Sequence, residues 1–73
     1  MLLNSNDEKE IKKFGENLRR IRNEKNLSME TLANEAEIEI SQIYRIEIGR
    51  INPKLTTIIN IAKALKISPK DFF

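Results

Sequence analysis

Apolar residues return at helical spacing in successive stretches of this chain, and residues that start or stop helices bound each stretch. Ile11, Phe14, Leu18 and Ile21 follow at steps of three, four and three, a single stripe along a first helix that runs to about Lys25. Asp7, Glu8 and Glu10 put negative charge where the helix dipole favours it, with Asn6 or Asp7 as the N-cap. Residues 1–7 read as a flexible tail, leaving 8–73 as one domain. Asn26 suits a left-handed helix end, and Ser28 is a strong N-cap for a second helix over 29–36 with Leu32, Ala33 and Ala36 inside. After an interruption at 37–39, Ile43 and Ile46 resume the spacing in a third helix over 40–47, which Gly49 ends.

Pro53 forces Asn52 into an extended conformation, so 50–54 is a loop. The fourth helix is predicted over 55–66, with Leu55, Ile58, Ile61, Ala62 and Leu65 inside and Ile59 widening the apolar face. Ser68 and Pro69 form an N-cap and N1 pair that opens a fifth, short helix over 69–73. The fold class is therefore all-α, with five helices. The second and third, roughly two turns each and separated by a turn of about three residues, make a helix-turn-helix, whose usual use is to place its second helix in the DNA major groove.

Composition narrows the alternatives. Seventy-three residues support one domain near the lower size at which a hydrophobic core suffices alone. The chain has no cysteine and no histidine, which removes disulfides and ordinary zinc sites as staples; stability rests on helix packing, with dimerisation as a possible aid. Its apolar runs are too short for a membrane span, and the N-terminus has neither the charge nor the length of a signal peptide, so a cytoplasmic location is expected. Thirteen basic against eleven acidic side chains leave a net charge of +2, too mild to argue for nucleic acid unless the charges are segregated. The chain has no glycine-rich phosphate loop and no paired carboxylates in a plausible cleft, so no enzyme, catalytic residue, metal or cofactor is expected.

Particular residues then match a known pattern in order and at the right intervals. These are Leu18-Arg19-x-Ile21-Arg22, Leu27-Ser28-x-Glu30-x-Leu32-Ala33, Ile43-x-Arg45-Ile46-Glu47-x-Gly49, Asn52-Pro53-x-Leu55 and Ile61-Ala62-Lys63-Ala64-Leu65-x-Ile67-Ser68. With them the chain resembles the phage-repressor and Cro type of helix-turn-helix domain, the lambda-repressor-like or XRE family, over residues 14–73. The resemblance implies a five-helix domain with the helix-turn-helix at helices two and three. It also implies that Arg22 late in the first helix pairs with Glu47 at the end of the third. Three positions depart from the family pattern. Met29 stands where glutamine often reaches a phosphate, leaving only the backbone N–H for that task. Glu37 stands where the turn usually has glycine, so either it takes a positive φ or the turn has another shape. Glu39 stands where serine or threonine usually caps the third helix, a weaker cap that brings negative charge near the DNA.

If the third helix enters the major groove, Ile40, Ser41, Gln42, Tyr44 and Arg45 are the candidate base contacts. Arg45 suits guanine O6 and N7, Gln42 suits adenine, and Ile40 suits a thymine methyl. Ser28, Met29, Arg19, Arg50, Asn52 and Lys54 are the candidate phosphate contacts, and for Ser28 and Arg19 helix capping and solubility are competing roles. One domain covers one half-site, so a homodimer reading half-sites roughly 34 Å apart is expected, with Ile59, Ile67, Phe72 and Phe73 as its interface candidates; Phe72 has the alternative of capping the core. The expected function is a sequence-specific DNA-binding transcriptional regulator, a repressor or autoregulator acting on double-stranded DNA without a small-molecule ligand. Small domains of this kind include phage repressors, restriction-modification controllers and antitoxins. The competing class is a protein-interaction module that keeps the fold with weak or no DNA binding.

Overall fold

The computed structural model describes residues 5–73 and is helical throughout, with α1 at Ser5–Glu24, α2 at Met29–Ala36, α3 at Ile40–Glu47, α4 at Leu55–Leu65 and a terminal 3₁₀ turn at Pro69–Phe72. No described helix is long and apolar enough to cross a membrane. α1 begins earlier than its stripe suggested. Asn6 and Asp7 lie inside it, and Asp7 and Glu8 occupy its first turn. Of the expected tail, residues 1–4 lie outside the described residues.

The fifth helix is corrected to a single 3₁₀ turn, which leaves four α-helices among the described residues. Four residues are too few to set up an i to i−4 ladder, and the i to i−3 bond from the Phe73 N–H to the Lys70 carbonyl at 3.1 Å closes the turn instead. Two reciprocal bonds hold its start: the Asp71 N–H donates to the Ser68 carbonyl at 2.9 Å, and the Ser68 N–H donates to the Asp71 carboxylate at 3.1 Å.

Leu18, Leu32, Ile43, Ile46, Ile61, Leu65 and Phe72 form the fully buried centre, to which all four helices and the terminal turn contribute. Phe72 packs its ring 4.8 Å from that of Phe14, and the Asn17 amide donates to the Phe72 carbonyl at 2.7 Å, fastening the chain's end to α1. Leu55 is a second correction. It is 71% exposed rather than inside, because it is the first residue of α4 and stands ahead of Thr57, where the buried positions of that helix begin. Thr57 takes a buried position in its stead.

α1, α2 and α4 end alike. Asn26, Glu37 and Lys66 all adopt left-handed backbone, with φ of 57°, 58° and 60°. In each case the next residue's N–H reaches back: Leu27 to the Arg22 carbonyl at 3.1 Å, Ile38 to Ala33 at 3.0 Å, Ile67 to Ala62 at 3.0 Å. Leu27, Ile38 and Ile67 then turn partly buried side chains onto the core, the apolar contact that accompanies this type of helix end. The hydrogen bonds and that contact offset the left-handed cost at residues that are not glycine. Glu37→Gly should remove that cost at the helix-turn-helix corner and stabilise the domain by about 0.5–1 kcal/mol. A thermal melt checks it, and a lowered midpoint would show that the Glu37 side chain supports the turn.

The close approach of α1 to α3 depends on Gly15. A Cβ there would lie 2.7 Å from the Glu47 carbonyl oxygen and closer still to that of Ile46. Gly49, at φ 76°, follows α3 and lies against Lys12 of α1, where a Cβ would meet the Lys12 Cγ at 2.7 Å. Both glycines thus let α1 lie directly on the C-terminal half of α3.

Candidate nucleic-acid interface

α3 is amphipathic in a way that leaves one face free. Ile43, Ile46 and Glu47 are buried, whereas Ser41 and Arg45 are exposed, Ile40 and Tyr44 are 48% and 52% exposed, and Gln42 is half-buried at the edge. Positions 40, 41, 44 and 45 are one helical turn apart in pairs, so they form a single outward strip. The Arg45 side chain has no ion-pair or hydrogen-bond partner among the described residues. An exposed guanidinium flanked by an aromatic ring and preceded by an isoleucine supplies donors and apolar surface, the two kinds of group that read base edges in the major groove.

Behind this strip is the buried pair of Arg22 and Glu47. The Arg22 Nε donates to Glu47 Oε2 at 2.6 Å and its Nη2 donates to Oε1 at 3.0 Å, a bidentate arrangement. Its Nη1 donates to the Leu27 carbonyl at 2.8 Å, just ahead of the cap of α2. One guanidinium therefore joins α1, the approach to α2 and the end of α3. Hydrogen bonding to Glu47 holds Arg22 above its ordinary pKa, against the opposing effect of burial. No buried side-chain nitrogen or oxygen among the described residues lacks a partner.

The phosphate candidates fall in three places. Arg50, Asn52 and Lys54 are all exposed in the connection from α3 to α4. Ser28 caps α2: its hydroxyl accepts from the Thr31 N–H at 3.0 Å and donates to the Thr31 hydroxyl at 2.9 Å. The Met29 side chain packs against the core, which leaves its backbone N–H as the group it can offer outward. Arg19 is exposed on α1. Glu39 caps α3 without a side-chain hydrogen bond, and its carboxylate is exposed.

The residues considered for self-association separate. Phe72 is 1% exposed and belongs to the core, where its ring packs at a tilt against that of Phe14. Ile59 is half-buried, and Ile67 is half-buried against the core. Phe73 is 77% exposed with its ring 5.6 Å from Phe14. Leu55, which sequence reading assigned to the interior, lies one turn before Ile59 and extends that apolar surface. Gly15 was also missed, although an isolated glycine inside a helical stripe commonly marks a close approach.

Comparison with known proteins places this geometry among relatives. Residues 18–72 match the family model described as helix-turn-helix. The chain is 44% identical over 59 residues to the control protein C.BamHI of Bacillus amyloliquefaciens, covering 80% of this chain and 73% of that protein. Its structure is similar to the crystal structure of the restriction-modification controller protein C.AhdI from Aeromonas hydrophila, with a TM-score of 0.85 and 40% identity over 86% of this chain and 96% of that one. The clp gene regulator ClgR from C. glutamicum has the same fold, with a TM-score of 0.83 at 22% identity over 86% of this chain and 82% of that one.

Proposed function

The chain belongs to the helix-turn-helix family, and from that premise we propose that it is a two-fold dimer that controls a restriction-modification system from a palindromic operator. It is a DNA-binding transcriptional regulator. α3 lies in the major groove, with Ile40, Ser41, Gln42, Tyr44 and Arg45 facing the bases and Arg50, Asn52 and Lys54 on the flanking phosphates. The observation that carries this reading is the outward strip of α3 with its unpartnered Arg45, mounted on the buried Arg22–Glu47 pair. The control and controller proteins among its relatives support the restriction-modification setting. Leu55, Ile59 and Phe73 supply the apolar surface for the dimer contact, with Ile67 at its edge. The regulator acts in the cytoplasm, as a repressor or autoregulator, with half-sites roughly one helical turn, about 34 Å, apart.

Selection of bound sequences from a random duplex pool tests the reading, and a two-fold symmetric consensus is the expected result. No measurable duplex binding at low salt would overturn it in favour of a protein-interaction module. Arg45→Ala should weaken binding to the selected site by about 1–3 kcal/mol and relax one position per half-site while leaving the melting temperature unchanged. Arg50→Ala should instead weaken binding about equally across sequences and lower the salt slope by about one per protomer. Titrations at several salt concentrations separate the two roles.

A further inference from the structure

Glu39 is the residue at the DNA face whose chemistry the preceding reading leaves unused. It stands at the N-cap of α3 with φ −71° and ψ 144°, immediately before Ile40, and its side chain makes no capping hydrogen bond. The residue is exposed, and its carboxylate has no hydrogen-bond or ion-pair partner among the described residues. The Ser28 hydroxyl, by contrast, is occupied by Thr31. The other carboxylate of the turn, Glu37, belongs to the left-handed end of α2, two residues further from the start of α3. Only Glu39 brings a free carboxylate to the end of α3 that leads into the groove.

We propose that Glu39 is a specificity-determining residue that accepts a hydrogen bond from the N4 amino group of a cytosine in each half-site. The inference rests on α3 being the major-groove helix. In the major groove cytosine presents an amino donor. Guanine presents two acceptors, thymine an acceptor and a methyl group, and adenine an amino donor with the N7 acceptor beside it. A carboxylate accepts hydrogen bonds and donates none, so it is matched by cytosine and repelled by guanine and thymine. The same charge weakens every non-cognate encounter through repulsion from the phosphates. Glu39 thus gives up general affinity and gains discrimination, the use of a repulsive element to set specificity.

The test is parallel selection from one random duplex pool with the full chain and with Glu39→Ser and Glu39→Gln. The Glu39 side chain makes no hydrogen bond that holds the fold, so Glu39→Gln should keep its helicity and melting temperature, and Glu39→Ser, which supplies the better cap, should match or exceed them. The wild-type chain should enrich a cytosine, at one position per half-site, on the order of tenfold over the other bases. Glu39→Ser should lose that preference alone, keep the rest of the consensus and bind random duplex more tightly. Glu39→Gln should move the preference toward adenine, which an amide can pair in bidentate fashion. The same consensus from the wild type and Glu39→Ser would overturn the role of Glu39 and leave the regulator reading standing. No consensus from the wild type would overturn both.

Discussion

Arg22→Ala should lower the stability of the domain by about 3–5 kcal/mol, because it strands the Glu47 carboxylate in a buried site. Glu47 is only 5% exposed, and Arg22 supplies the hydrogen bonds the structure shows to it. One kcal/mol moves the midpoint of a domain this small by roughly 4–8 °C, so the variant should melt far below the parent. The consequence extends to binding. Without the guanidinium, α3 loses its tie to α1, and the Leu27 carbonyl ahead of α2 loses its 2.8 Å donor. The reading strip of α3 is then held by packing alone, and affinity for the selected duplex should fall with stability. A thermal melt and a binding isotherm check this, and finding both unchanged would remove the pair from its proposed role. Replacing both partners by apolar residues of similar volume, Arg22→Met with Glu47→Leu, should recover much of the stability, since no charge is left buried. It should recover less of the binding, because the bidentate geometry orients the end of α3. The double-mutant cycle isolates the coupling.

The pH dependence of this pair has a definite sign. Arg22 has a folded pKa raised by its hydrogen bonds to Glu47. The stability it contributes is therefore fully present below the ordinary arginine value and is lost only as pH rises through the higher folded value. Through neutral and moderately alkaline pH its contribution should stay constant.

Gly15→Ala should destabilise the domain even though alanine is the better helix former. The propensity gain is about 1 kcal/mol, whereas the added methyl meets the carbonyl oxygens of Ile46 and Glu47, which are backbone atoms. The Ile46 carbonyl also accepts from the Gly49 N–H at 3.1 Å, so displacing it disturbs the end of α3. A net loss of about 1–2 kcal/mol is expected, with Gly15→Val losing more. Chemical denaturation measures both. A stabilised Gly15→Ala variant would show that α1 and α3 separate at little cost. Because the shift would also pull Glu47 away from Arg22, the effects of Gly15→Ala and Arg22→Ala should not add.

Much of the fold was legible because its signals are local. Helical spacing, Ser28 as a cap, Asn26 as a left-handed end and Gly49 as a stop depend on neighbours a few residues away, and the structure has all of them. The departures came where a local signal met a longer constraint. Ser68 and Pro69 do start a helical segment, but only four residues follow in it and the turn stays 3₁₀. Leu55 stands one step from Ile58 in a repeating pattern, yet it opens α4 ahead of the first buried position and lies in solvent. Lys66 gave no composition signal of a left-handed end; the fit of Ile67 onto the core decides it.

By itself the sequence determined the order of the first four helices and which face of α3 is apolar, because periodicity and capping are written in adjacent residues. The tertiary structure alone decided which apolar residues are consumed inside the chain and which remain for a partner. Phe72 goes to Phe14, while Leu55 stays outside. It also decided that Gly15 governs the distance between α1 and α3, and that Arg22 holds the approach to α2 as well as the end of α3. These outcomes turn on where helices cross and how far one has rotated at the crossing. Such quantities emerge only when the separate stripes close on a common core.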